Sequence, residues 1–193
     1  MPSKALPSLL AMILLAGPAS ADVVERVLAA VDDTPVLLSE VRALERLKNI
    51  GREAALQALI DQTLMLREAS RLKEAAPSPE EEQRALLSLK TQLAPGAASL
   101  EEELLRRIAR RESVILKYVE LRFRPQLRVD DAELLSAYQE QYGGRPGAPP
   151  FEAVESELSA SLTSRALESR IEAWVAELRS GARIRLNPDA PQS

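Results

Sequence analysis

Cysteine and histidine are both absent from the 193 residues of this chain, and their absence removes several kinds of chemistry. Without cysteine the chain forms no disulfide and has no thiol nucleophile, and a Cys/His zinc site is excluded as well. Without histidine it has neither an imidazole base nor a Ser-His-Asp triad. The two absences together exclude many of the common routes to enzymatic catalysis.

Aromatic residues and an excess of positive charge are also lacking. Aromatic side chains make up only 3% of the chain, so its core must be built from Leu, Ala, Val and Ile, within a hydrophobic content of 46% that is typical of globular proteins. Lys and Arg number 25 against 29 Asp and Glu, and a net charge of −4 makes nucleic acid an improbable partner. No Gly-rich phosphate-binding motif is present. We therefore expect one domain, or two small ones, and neither a cofactor nor a metal.

Residues 1–21 have the pattern of a cleavable export signal. Lys4 supplies the positive start, an apolar run extends from Ala5 to Ala16, and Ala19-Ser20-Ala21 fits the small-residue cleavage rule. The run is shorter than the roughly 20 apolar residues that span a membrane. We therefore expect cleavage after Ala21 and an exported protein without a stable membrane anchor.

Strand signals stand at both ends of the remaining chain. Two apolar runs, 23–31 and 36–38, flank a turn cluster at 32–35 and predict a β-hairpin. Near the end, Ile184 and Leu186 alternate with arginines and predict another strand. An isolated hairpin is only marginally stable in water, so we expect residues 183–186 to add to it and the two chain ends to share one small sheet.

Helical patterns fill the chain between the strands. Ser39 is predicted to cap the first helix and Ser99 the fourth. Asp130 and Glu133 are predicted to form a capping box at the start of the fifth. The six helices are predicted at 39–49, 52–75, 80–93, 100–124, 131–142 and 151–180. A stretch with three glycines and three prolines, 143–150, indicates a linker, and 188–193 is a polar tail.

These elements predict a mostly α fold with a small β-sheet, in the α+β class. The helices at 39–49, 52–75 and 151–180 are expected to cover the sheet. Those at 80–93 and 100–124 are expected to project as a helical hairpin.

Four segments in this order resemble the SurA-type periplasmic chaperones. The first is 27–40, with its strand, polar turn, strand and acidic helix start, and the second is 55–69, with Leu59-Ile60-Asp61 at its centre. The third is 127–133 with Tyr138, and the fourth leads from Phe151 through Trp174 to Ile184. Together they cover most of residues 23–186. The resemblance implies a SurA-like chaperone domain over 22–187, located in the periplasm.

The chain departs from that family at one place. Where the family inserts a parvulin prolyl-isomerase domain, this sequence has only residues 143–150, and the histidines of the parvulin active site have no counterpart. No catalytic residue is therefore carried over. The resemblance implies a chaperone module that works without enzymatic activity.

Candidate peptide-binding residues are those that lie away from the main apolar stripe of their helix. Leu59, Met65 and Leu66 are candidates on helix 52–75, and Tyr118 and Leu121 on helix 100–124. Flexible side chains such as that of Met suit binding to varied partners. The alternative is that these residues simply pack in the core. Trp174 is expected to be a core residue.

Two charged motifs have structural as well as functional interpretations. Paired carboxylates occur at Asp32-Asp33 and at Asp130-Asp131, and their functional interpretation is a metal or acid/base site. Both pairs fall at turns or helix starts, where Asp is favoured for local hydrogen bonds, and this favours the structural interpretation. Four arginines form a basic cluster that, together with Arg122, Arg124 and Arg128, could bind an acidic partner or lipid headgroups. The alternative is a solvated face on which the cluster pairs with Glu101–Glu103 and Glu112. The cluster consists of Arg106, Arg107, Arg110 and Arg111.

The expected function is that of a periplasmic chaperone that binds exposed apolar segments of unfolded or nascent exported proteins, including outer-membrane proteins. The alternative is an envelope protein that binds one dedicated folded partner or associates with itself as a homodimer. A prolyl isomerase with an unfamiliar site is the third hypothesis, and the lack of histidine argues against it.

Overall fold

The computed structural model describes residues 25–92 and 100–187. The predicted export signal with its cut after Ala21, the predicted cap Ser99 and the polar tail at 188–193 lie outside these residues. Within them the chain is mostly helical and carries one small antiparallel sheet, which confirms the predicted fold class. No helix in the described part of the chain is both long and apolar enough to cross a membrane.

The sheet contains both ends of the described chain. Its strands are β1 (Val27–Val31), β2 (Thr34–Leu37) and β3 (Ile184–Leu186), in the order β2-β1-β3. Val31 in the central strand lies opposite Thr34 on one side and Ile184 on the other, and both pairings are antiparallel. The predicted joining of the first hairpin and the last strand is therefore confirmed.

Asp32 links the hairpin turn to the chain entering β3. Its backbone has a φ of +50°, and its N–H donates to the carbonyl oxygen of Arg183 at 2.8 Å. The N–H of Arg183 donates in return to Asp32 Oδ1 at 2.9 Å, and the Arg67 guanidinium pairs with the other carboxylate oxygen. The Arg183 N–H and, next, the Arg67 side chain lower the pKa of Asp32. The carboxylate thus acts as a structural bridge between three elements.

Six α-helices occupy the described chain close to their predicted positions. Their bounds are α1 (Leu38–Lys48), α2 (Arg52–Ala69), α3 (Pro79–Thr91), α4 (Glu102–Arg122), α5 (Asp131–Tyr142) and α6 (Phe151–Ser180). Two short 3-10 turns accompany them, at Lys73–Ala75 and Arg124–Gln126.

The predicted start of α1 was wrong. Ser39 does not cap this helix, which begins at Leu38 directly after β2, with Leu37 at the N-cap position and no side-chain hydrogen bond there. The N–H of Ser39 instead donates to the carboxylate of Glu25 at 3.2 Å. The Glu25 carboxylate, which lies outside the helix, therefore accepts a hydrogen bond from a first-turn N–H that a capping side chain would otherwise satisfy.

The predicted length of the second helix was also wrong, because α2 ends at Ala69 and not near residue 75. The chain turns at Ser70 and continues into the 3-10 turn at Lys73–Ala75. This change of direction brings Leu72 and the fully buried Ala75 against an aromatic cluster that consists of Tyr118, Phe123 and Trp174. Burial of these side chains accounts for the break in a segment rich in helix-forming residues.

Two capping boxes set the starts of α3 and α5. Asp130 and Glu133 form the predicted one, with Glu133 N–H donating to Asp130 Oδ1 at 2.8 Å. The other was missed. Ser78 caps α3, which begins at Pro79 and not at Glu80, and Ser78 exchanges hydrogen bonds with Glu81. Each box satisfies two backbone donors at a helix start.

The main core lies between the sheet and the helices α1 and α2. Its largest fully buried side chains come from β1, β2, α1 and α2. These side chains are Val31, Val36, Val41, Leu44, Leu59, Ile60 and Leu64. Leu178 near the end of α6 and Ala182 just after that helix pack against this core. The three helices that were expected to cover the sheet therefore all contribute to its core.

Helix α4 packs against both α3 and α2. Its pairing with α3 is antiparallel, since Lys90 bonds Glu102 at 2.9 Å while Lys117 bonds Glu81 at 2.8 Å. Ala43 of α1 also joins the apolar cluster between α3 and α4. The predicted helical hairpin is thus present and is held along one side by the rest of the fold.

Helices α5 and α6 pack on each other around a small separate cluster that includes Leu134, Val154 and Leu158. The predicted linker at 143–150 joins them and contains neither helix nor strand, and the Tyr138 hydroxyl donates to the carbonyl of Pro149 within it at 2.7 Å. With 30 residues, α6 is about 45 Å long. Its first half therefore packs on α5 and its second half on α2.

Candidate peptide-binding clefts

The five predicted binding residues do not lie on one surface. Leu59 is 2% exposed and belongs to the main core, so it is not accessible to a partner in this structure. Met65 is partly buried against the aromatic cluster. Leu121 is 47% exposed. The other two, Leu66 and Tyr118, each line a cleft, but the two clefts are different.

The first cleft, called here the apolar cleft, has a volume of about 610 Å³ and lies between the end of α2, the segment after it and the middle of α4. Leu66, Leu72 and Val114 form its apolar wall, and Ala76 and Pro77 extend it. The early end of α2 creates this shape, because it turns Leu72 and Pro77 back toward α4. A concave, mostly apolar surface with a few polar groups at its edge is typical of ligand sites.

Basic side chains surround the apolar cleft. They are Lys73, Arg107, Arg110 and Arg111, so three of the four arginines in the predicted basic cluster stand here. Arg110 pairs with Glu82 of α3 at 3.2 Å, and Arg111 pairs with Glu40 of α1. The fourth arginine, Arg106, pairs with Glu102 and Glu103 as the structural interpretation predicted. The cluster therefore fixes α4 to its neighbours and also makes the edge of the apolar cleft positive.

The second cleft, called here the aromatic cleft, has a volume of about 730 Å³ and lies between the ends of α2, α4 and α6. Three aromatic rings line it. Tyr118 stacks on Trp174 with ring centres 5.0 Å apart, and Phe123 meets Trp174 edge to face at 5.3 Å. Trp174 is only 8% exposed, which confirms its predicted burial, yet one part of it reaches the cleft.

Charged side chains form the edge of the aromatic cleft. Four are arginines and two are glutamates, namely Arg67, Arg71, Arg122, Arg170, Glu68 and Glu177. The edge is therefore positive, although the whole chain is negative. Of the residues that line it, the sequence predicted only Tyr118 as a binding residue and Arg122 as an extension of the basic cluster. The others lie as far apart in the chain as Arg67 and Gly181 and come together only when α2, α4 and α6 pack.

The carboxylate pairs have structural roles. Asp32 bridges the turn to β3, and Asp130 caps α5. No group of three or more acidic side chains in the described part of the chain is arranged to hold a metal ion. The two clefts are therefore the candidate functional sites, and the paired carboxylates are not.

Comparison of this chain with protein-family models and with curated proteins gave no match. The resemblance to SurA-type chaperones stays a prediction from the sequence.

Proposed function

We propose that this protein is a periplasmic chaperone without enzymatic activity, which binds exposed apolar segments of unfolded exported proteins. The sequence supports the location through its export signal, and it supports the binding role through its ordered resemblance to SurA-type chaperones. The apolar cleft is the single structural observation that carries the proposal.

The geometry of the apolar cleft suits a segment of unfolded chain. Its wall offers leucine and valine side chains, and an apolar side chain that enters it leaves water, which contributes about 25 cal/mol for each Å² of apolar surface removed. The surrounding Lys and Arg side chains have long aliphatic stems that can cover the rest of such a segment while their charges stay in water. Selectivity for one sequence is not required by these contacts.

Binding of this kind protects a client without any change in its covalent bonds. A protein that binds the unfolded state lowers the free concentration of that state, and with it the rate of aggregation. The effect depends on stoichiometry, because each bound client occupies one cleft. Equimolar amounts should therefore protect, and small fractions of that amount should not.

The test is aggregation of a urea-denatured outer-membrane β-barrel protein, followed by light scattering after dilution with the mature chain. We expect an equimolar amount to suppress scattering by more than half. Ala76→Phe should abolish most of this effect, since Ala76 is exposed and lines the apolar cleft, so that a phenyl ring there fills the cleft without removing a core contact.

The matched control is Ala166→Phe, at an exposed position of α6 that lines neither cleft. It should protect the client as well as the unchanged protein does. A chain that gives no protection at equimolar amounts, or an Ala76→Phe variant that protects fully, would overturn the proposal. Unfolding curves of both variants, followed by the fluorescence of Trp174, establish that each is folded.

A further inference from the structure

We propose that the aromatic cleft is a second binding site, which takes an aspartate or glutamate side chain that neighbours an apolar residue in the client. This inference rests on the proposed function and adds a preference to it. Clients would then be selected for acidic as well as apolar character.

Two residues that line this cleft carry hydrogen-bond donors with no acceptor in the described protein. Tyr118 and Trp174 are 9% and 8% exposed, and within the described residues neither the Tyr118 hydroxyl nor the Trp174 indole N–H has a hydrogen-bond acceptor. No unpartnered polar side-chain atom in the described chain is sealed from solvent, so both groups remain accessible. A carboxylate that enters the cleft can therefore accept hydrogen bonds from both groups.

Two arginines at the edge of the cleft are available to the same ligand. Arg67 and Arg71 already pair with Asp32 and Glu68, but Arg122 and Arg170 have no carboxylate within 4.0 Å among the described residues. Arg170 has only a hydrogen bond of 3.3 Å to Gln126. Guanidinium groups bind carboxylates through paired, charge-assisted hydrogen bonds. The aromatic cleft is therefore lined both by two guanidinium groups without a carboxylate partner and by two aromatic donors without an acceptor.

The ligand must also cover an apolar surface. The rings of Tyr118, Phe123 and Trp174 form the wall beneath the arginines. A free carboxylate or an inorganic anion would bind the donors and leave uncovered the small part of these rings that reaches the cleft. A peptide segment with an acidic residue next to an apolar one would satisfy both, and a cleft of about 730 Å³ has room for several side chains.

The experiment compares two fluorescein-labelled 12-residue peptides built from Leu, Ser and either Glu or Gln, each with an amidated C-terminus so that only the side-chain carboxylates differ. Binding is followed by fluorescence anisotropy. The emission of Trp174, the only tryptophan of the chain, is followed with unlabelled peptides. We expect the Glu peptide to bind about tenfold more tightly and to change the Trp174 emission, and the preference to shrink in 1 M salt.

The double variant Arg122→Gln/Arg170→Gln should lose the preference and bind both peptides equally. Both positions are exposed, so the fold should tolerate the changes. Arg165→Gln, at an exposed position of α6 outside both clefts, is the matched control and should keep the preference.

The outcomes separate this inference from the proposed function. Equal affinity of the unchanged protein for the two peptides would overturn the inference and leave the function standing. A preference that survives in the double variant would also overturn it, because the acid would then bind elsewhere. Failure to bind either peptide would count against both proposals.

Discussion

Leu59 and Leu121 permit a sharp test of the structure. Both were predicted from the sequence to be binding residues, but the fold buries Leu59 and leaves Leu121 exposed. Leu59 is 2% exposed within the main core, whereas Leu121 is 47% exposed on α4. The same substitution, Leu→Ala, should therefore have opposite consequences at the two positions. Leu59→Ala should reduce stability, and Leu121→Ala should leave it almost unchanged.

The magnitude for Leu59→Ala follows from its surroundings. Three carbon atoms are removed from a packed site, which costs about 2.4 kcal/mol at about 0.8 kcal/mol for each buried methylene. A residual cavity of about 40 Å³ adds about 1 kcal/mol at roughly 24 cal/mol per Å³. The free energy of unfolding should therefore fall by about 3 to 4 kcal/mol. Leu121→Ala should change it by less than about 0.5 kcal/mol.

Equilibrium unfolding in urea, monitored by circular dichroism and by the fluorescence of Trp174, measures both values. With an m-value of about 2 kcal/mol per molar urea, Leu59→Ala should lower the midpoint by about 1.5 to 2 M. A shift below about 0.5 M would refute the placement of Leu59 in the core. A Leu121→Ala shift as large as that of Leu59→Ala would refute the exposure of Leu121.

Two further predictions concern the turn at Asp32 and the end of α5. The pKa of Asp32 lies below its ordinary value of 3.8, mainly because of the Arg183 N–H. The stabilising contribution of this carboxylate is therefore complete above pH 3.8 and is lost as the pH falls through the lowered pKa. In thermal melts between about pH 4 and pH 2, the Asp32→Asn variant should lose less stability than the unchanged protein. Equal acid sensitivity of the two proteins would contradict the bridging role. At Gly143, a Cβ atom would overlap the backbone carbonyl oxygen of Gln139. Gly143→Ala should lower the melting temperature by about 2 to 4 °C for each kcal/mol lost. The control is Gly181→Ala, where a Cβ atom would make only ordinary contacts at 3.9 Å, and its melting temperature should not change. A Gly143→Ala variant that melts with the unchanged protein would show that no such close approach exists.

Much of the fold could be predicted from local pattern. The hairpin, the last strand and the capping box at Asp130 follow from residues close in sequence, and the structure confirms them. The joining of the two chain ends followed from one physical argument, that a lone hairpin needs a further strand. Ser39 and the end of α2 were mispredicted because contacts with distant residues, Glu25 and the aromatic cluster, decide them.

The candidate site was predicted only in part. Two of the predicted binding residues, Leu66 and Tyr118, line clefts, and three arginines of the predicted basic cluster line the apolar cleft. Leu72 and Val114 were missed. Their place in the wall of the apolar cleft depends on where α2 ends, which no local pattern in the sequence reveals.

The sequence by itself determined the secondary structure and the sidedness of most helices, because apolar periodicity and end-capping act over only a few residues. Tertiary packing alone decided which leucines are buried and which walls face each other across a cleft. Leu59 and Leu66 lie seven residues apart on α2, yet one is enclosed by the sheet and the other faces a cleft formed with α4. The physical reason is that the burial of a side chain depends on which other helices and strands pack against it. Those elements come from distant parts of the chain.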